Sequence, residues 1–240
     1  MSMPSSHWFA VTTAISCTLV VSTVTPAQAF SIAGTSTGSW GLPAAPSAST
    51  TLSSVAGGVN NRLTWGIPTT NSFSNYVQFN GTDINAAAGS QFKIGDLTYR
   101  NGATLDNFDG DFPLVVTLIL SAPTSVSQNF NFGFNILNTT NVTNDPVLDG
   151  DRLRFSTAGL ASQSFSFNGV NYTLALTGFS SDGGLTFVDE FNSPEGSTAS
   201  AGLYGQVIAA EAVPEPLTTT GLLLAGAGLL GARRRQKQRV

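Results

Sequence analysis

The sequence predicts an all-β fold: an antiparallel two-sheet sandwich, jelly-roll-like, held between two apolar terminal segments. Three observations carry this. Residues 129–136 alternate strictly, with Phe130, Phe132, Phe134 and Ile136 on one face and Asn129, Asn131, Gly133 and Asn135 on the other. That is the period of a half-buried antiparallel strand. Phe165 and Phe167 precede Asn168-Gly169, and Val170 and Tyr172 follow it. Asn-Gly tolerates positive φ at both turn positions, so this is a strong hairpin signal. Helical signals are nearly absent; only Ala86–Ala88 looks helix-friendly, and Gly89 ends it.

Taken in order, the domain opens with a loop at 42–58, rich in Ala, Ser, Thr, Gly and Pro. Strands are expected near 62–67, 75–80, 91–99, 112–121, 129–137, 152–156, 163–167, 170–179, 184–188 and 203–209. Leu114–Leu120 is apolar except for Thr117 and reads as a central strand. Val170, Tyr172, Leu174 and Leu176 alternate with Asn171, Thr173, Ala175 and Thr177. Turns fall at Asn80-Gly81, Asn101-Gly102, Asp149-Gly150 and Asp182-Gly183. Residues 189–201 read as a second loop. Many short strands with regular turn signals argue for two packed sheets, their Phe-rich faces inward.

Residues 1–29 read as a secretory signal peptide. Phe9–Val24 is mostly apolar or small, and Ala27-Gln28-Ala29 fits a small-x-small cleavage site before Phe30. The segment before it holds His7 but no Lys or Arg. The alternative is a retained N-terminal anchor. Cleavage removes Cys17, His7 and both methionines, the only residues of those types in the chain. What remains has no disulfide and no Cys or His metal ligand. It also has no imidazole for a Ser-His-Asp or Cys-His mechanism.

Charge is split along the chain. Residues 30–213 hold 13 acidic and five basic side chains, a net of −8, while the tail adds five positive charges. An acidic domain repels phosphate backbones, so no nucleic-acid partner is expected.

The tail, 213–240, has three parts: Val213-Pro214-Glu215-Pro216, an apolar stretch 217–232, and a basic end 233–240 with Arg233, Arg234 and Arg235. Sixteen helical residues span ~24 Å, short of a ~30 Å hydrocarbon core. Gly221, Gly226, Gly228 and Gly231 weaken the helix further. The stretch can enter a bilayer with local thinning but anchors poorly. Its basic end stays cytoplasmic by the positive-inside rule. Pro214 and Pro216 hold an extended, accessible backbone just outside the membrane.

These residues resemble the PEP-CTERM sorting signal of Gram-negative bacteria. The resemblance implies a hydrophobic sorting helix recognised by exosortase, a membrane enzyme resembling a cysteine transpeptidase, with cleavage near Pro214–Pro216. It also implies export through the Sec translocon, signal peptidase processing and transient residence in the inner membrane. The destination would be the cell surface or extracellular matrix. An ordinary C-terminal anchor is the alternative.

A second resemblance covers most of residues 34–180. Gly38-Ser39-Trp40-Gly41, Leu63-Thr64-Trp65-Gly66, the run Phe92–Gly102 and Tyr172–Phe179 are similar to the choice-of-anchor domains, K type. That family joins one extracellular domain to different C-terminal anchors, and implies no catalytic residues.

Chemistry has few places to reside in the domain 30–212. Asp106, Asp109 and Asp111 gather in one loop, and Asp145, Asp149 and Asp151 in another. Clustered carboxylates suit calcium, which takes six to eight oxygens, but neither loop has EF-hand spacing. Solvated acidic turns are the plainer reading, and no other cofactor is expected. Paired carboxylates would also suit a glycosidase. Trp40, Trp65, Tyr99 and Tyr204 would suit a sugar-stacking platform, or simply the core. Two function classes stay open. One is a non-enzymatic envelope or exopolysaccharide-matrix protein. The other is a carbohydrate-binding or glycan-hydrolysing surface module, with extracellular polysaccharide as its partner.

Overall fold

The computed structural model describes residues 30–108, 110–156 and 164–209. They form thirteen strands and no helix: β1 (Ser31–Trp40), β2 (Thr51–Ser53), β3 (Arg62–Trp65), β4 (Asn75–Gly81), β5 (Asp83–Ala87), β6 (Gln91–Asn101), β7 (Phe112–Ala122), β8 (Val126–Leu137), β9 (Asp151–Phe155), β10 (Ser164–Phe167), β11 (Val170–Ser180), β12 (Glu190–Ser193) and β13 (Ser197–Ala209). The first sheet runs β12-β9-β8-β7-β1-β5 and the second β10-β11-β13-β6-β4-β3-β2. Every strand pair is antiparallel. The signal peptide 1–29 and the sorting helix expected at 217–232 lie outside the described residues.

The alternating segments form strands as expected. Phe130, Phe132 and Phe134 of β8 are buried. Asn168 and Gly169 take φ of 50° and 77° and close the β10–β11 hairpin, with Phe167 opposite Val170. β7 is central, between β8 and β1. Its Leu114, Val116, Leu118 and Leu120 are buried while Ile119 is 49% exposed. A sandwich covers only one face of each sheet, so even this apolar run alternates.

Five expectations need correction. Residues 31–40, which carry little apolar signal, form β1. Its inward positions include Ile32, Ser36 and Trp40, with Gly38 between. A Cβ on Gly38 would lie 2.2 Å from the Phe79 ring, so the strand gives up apolar alternation to let that ring in. Ala86 is extended rather than helical, paired with Ile32. Residues 184–188 form no strand. The Asp182 carboxylate accepts the N–H groups of Leu185 and Thr186, which curls the chain, and only a bridge from Phe179 to Val188 remains. The loop expected at 189–201 contains β12 and the start of β13, where Ser197–Ala201, a run of small side chains, pairs its backbone with β6. The early loop 42–58 carries the short edge strand β2.

Both sheets bury their inner faces in one core. Phe134 lies 5.4 Å from Trp40, 5.5 Å from Phe155 and 6.2 Å from Phe179, so residues of both sheets meet at one ring. Aromatic pairs at these separations add attraction beyond the area they bury.

Candidate functional site

The outer face of the second sheet carries a shallow groove of about 220 Å³, lined by Lys93, Asp96, Ser180, Ser200, Gly202 and Tyr204 among others. Three elements build it. On β6, Lys93 and Asp96 form a 3.0 Å ion pair. On β13, Tyr204 sits opposite Lys93. The chain after β11 curls over them, held by Asp182. Ser180 and Thr186 hydroxyls and the Thr186 and Leu185 N–H groups hold the Asp182 carboxyl well below its usual range. Gly184 and Gly202 make room for the Tyr204 ring; a Cβ on either would fall within 2.8 Å of it. Phe187 meets that ring edge-on at 5.4 Å. The groove therefore presents hydroxyls, one charged pair and an aromatic ring, which is suited to a polyol.

The other members of the expected platform do not join Tyr204. Trp40, Trp65 and Tyr99 are 2%, 0% and 0% exposed and belong to the core. The plainer reading of them as core residues is the one the fold adopts. Gly beside Trp, at Gly41 and Gly66, reflects close packing: a Cβ there would strike Pro113 or Thr104.

The carboxylates of the two acidic loops are occupied by protein donors. Asp106 accepts Ser49 N–H at 3.2 Å, and the Ser49 hydrogen bonds hold its carboxyl below the usual range. Asp111 accepts Asn135 Nδ2 at 3.2 Å and the Ser156 hydroxyl. Asp109 lies outside the described residues. In the second loop, Asp145 closes its own turn by accepting the N–H groups of Val147 and Leu148. Asp149 is covered by residues 142–143. Burial pushes its carboxyl up, but the Thr143 N–H and O–H and the Val142 N–H outweigh this and lower it. Asp151 points inward to Tyr99 and Thr139, and burial raises its carboxyl. Among the described residues no three acidic side chains converge as a metal-ligating group.

Asp151 belongs to a polar cluster that the sequence does not signal. Tyr99 donates to it at 3.0 Å, and burial followed by the Asp151 charge raises the phenol well above its ordinary value. Glu195 is raised too, by burial and then by Asp151. Ser193 donates to the Tyr99 carbonyl, and Asn101 Nδ2 to the Ser193 carbonyl. Tyr99 and Asn101 come from β6, Asp151 from β9, Ser193 from β12 and Glu195 from the turn after it, and the packing of one sheet on the other brings them together.

Beyond Ala209 the sorting residues Val213, Pro214, Glu215, Pro216, Arg233, Arg234 and Arg235 lie outside the described residues. Comparison with protein families decides what they are. Residues 212–236 match the PEP-CTERM protein-sorting motif. The motif implies an exported protein with an exosortase-dependent sorting step at the membrane. It supports exosortase as the processing partner. No curated protein matches the chain. The motif begins shortly after β13, the last described strand, which is paired on both sides, with β11 and with β6.

Proposed function

We propose that this is a non-enzymatic protein of the cell envelope or exopolysaccharide matrix, cleaved by exosortase and left there as a folded β-sandwich. The sorting motif at 212–236 is the observation that carries this reading. All thirteen described strands end by Ala209, so a cut beside Pro214–Pro216 removes none of them. The likeness of residues 34–180 to choice-of-anchor domains fits the same use, an extracellular module with an exchangeable tail. Mass spectrometry of the protein from its native host tests it. A mature C-terminus near residues 213–217 is expected; intact Val240 in the mature population would overturn the proposal.

The groove beside Tyr204 favours a second reading, a carbohydrate-binding module. Hydrolysis fits less well. Asp96 is the one carboxylate among the groove's lining residues, and Lys93 holds it, whereas glycoside hydrolysis ordinarily takes two carboxylates flanking one bond. Glycan-array binding that Tyr204→Ala abolishes would support this reading, and an array without hits would remove it.

A further inference from the structure

The five basic residues of the domain are not spread evenly. Arg62 of β3 and Arg100 of β6 converge on one ring, Tyr76 of the intervening β4. Their guanidinium carbons lie 4.1 and 4.6 Å from its centroid. Register causes this: Tyr76 is directly opposite Arg100, and Arg62 is opposite Gln78, two residues along β4 on the same face. Each arginine is held in place. Arg62 donates Nε to Gln78 Oε1 at 2.9 Å, and its Nη2 donates to the same oxygen. Arg100 donates Nε to the Ser74 carbonyl at 3.0 Å and also stacks on Phe73.

Neither arginine has a carboxylate partner among the described residues. The outward residues of β3, β4 and β6 include one carboxylate, Asp96, and Lys93 holds it. Two like charges thus lie within about one Debye length, ~10 Å at 0.1 M salt, with no carboxylate in ion-pair contact among the described residues, on a domain whose net charge is −8. Arg62 Nη1 and both Nη groups of Arg100 make no hydrogen bond among the described residues. Cation–π stacking fixes the planes of the forks but does not neutralise them.

We propose that Arg62, Tyr76 and Arg100 form a binding surface for a carboxylate-bearing polysaccharide. Guanidinium forks pair bidentately with carboxylates. The open outer face of a sheet suits an extended polymer that offers one carboxylate per sugar. A phosphodiester polymer carries denser charge, which an acidic domain repels. The fixed forks stand without the sorting motif; the choice of a polysaccharide rests on export.

The test is binding of the full chain, in non-ionic detergent, to polygalacturonate, to its methyl ester and to dextran. Binding to the acid alone is expected, weakening as salt rises. Arg62→Gln and Arg100→Gln should each weaken it about tenfold or more, the scale of a lost charge-assisted hydrogen bond. Arg154→Gln, on the other sheet, should leave it unchanged. Far-UV circular dichroism checks that each variant folds. Arg62→Lys combined with Arg100→Lys is the second variant: it keeps the charge without the fork and should also bind more weakly. Equal binding of the methyl ester, or full affinity in the double Gln or double Lys variant, would overturn the proposal. So would preference for duplex DNA or anionic vesicles, or a dimer that the Gln variants dissolve. The secreted C-terminus, read separately by mass, decides the sorting proposal alone.

Discussion

The Tyr99 hydroxyl donates a 3.0 Å hydrogen bond to Asp151 across the sandwich, joining β6 of one sheet to β9 of the other. Both residues are buried, at 0% and 5% exposure. A polar link between inner faces is costly to leave half-made, because an unsatisfied buried group bears its full desolvation cost. Tyr99→Phe is expected to lower unfolding free energy by about 1–3 kcal/mol. Urea denaturation measures it. A change near zero would mean that Thr139 alone satisfies the carboxylate.

The same carboxylate makes stability depend on pH. Burial raises the Asp151 carboxyl, and Glu195 is raised beside it. The folded state therefore binds more protons than the unfolded chain just above the ordinary carboxylate range. The contribution is fully present below the unfolded pKa and is lost as pH rises through the folded one. Asp151→Asn keeps a neutral side chain of the same shape, so its stability relative to wild type should improve from pH 4 to pH 7. An equal difference at both pH values would show that Asp151 does not titrate in this window.

Two glycines separate close approach from turn conformation. A Cβ on Gly81 would lie 1.8 Å from the Ser36 carbonyl oxygen, which is backbone and cannot swing aside. Gly169 has φ of 77° but open space around it. Gly169→Ala should cost about 1–2 kcal/mol, the left-handed penalty of an L-residue. Gly81→Ala should cost more and reduce the yield of folded protein. Thermal melts of the two variants check the order.

Calcium should leave the melting temperature unchanged, because the five described carboxylates of the acidic loops already accept protein donors. A site filled at a hundred times its dissociation constant would add ~2.7 kcal/mol, a rise of several degrees in a domain of this size. A calcium-specific rise that Asp109→Ala or Asp149→Ala removes would assign an ion to that loop.

Much of the fold was legible in local patterns. Phe130, Phe132 and Phe134 declared their face, and Asn168-Gly169 declared its hairpin, because each signal lies within a few consecutive residues. β1 was hidden because Gly38 yields its side-chain space to Phe79. The start of β13 is hidden because its side chains are Ser, Thr and Ala, which carry no apolar alternation. Residues 184–188 looked like a strand until the Asp182 carboxylate captured their N–H groups.

By itself the sequence determined the all-β class, the acidic character of the domain and the sorting tail, since all three follow from composition and contiguous motifs. Tertiary structure alone decided that Tyr99 meets Asp151, that Trp40 and Trp65 are core, and that Arg62 and Arg100 share Tyr76. A period of two tells which face a side chain occupies but not which strand lies beside it. The neighbour is chosen by register between strands far apart in the chain, and register is set by packing of the whole sandwich.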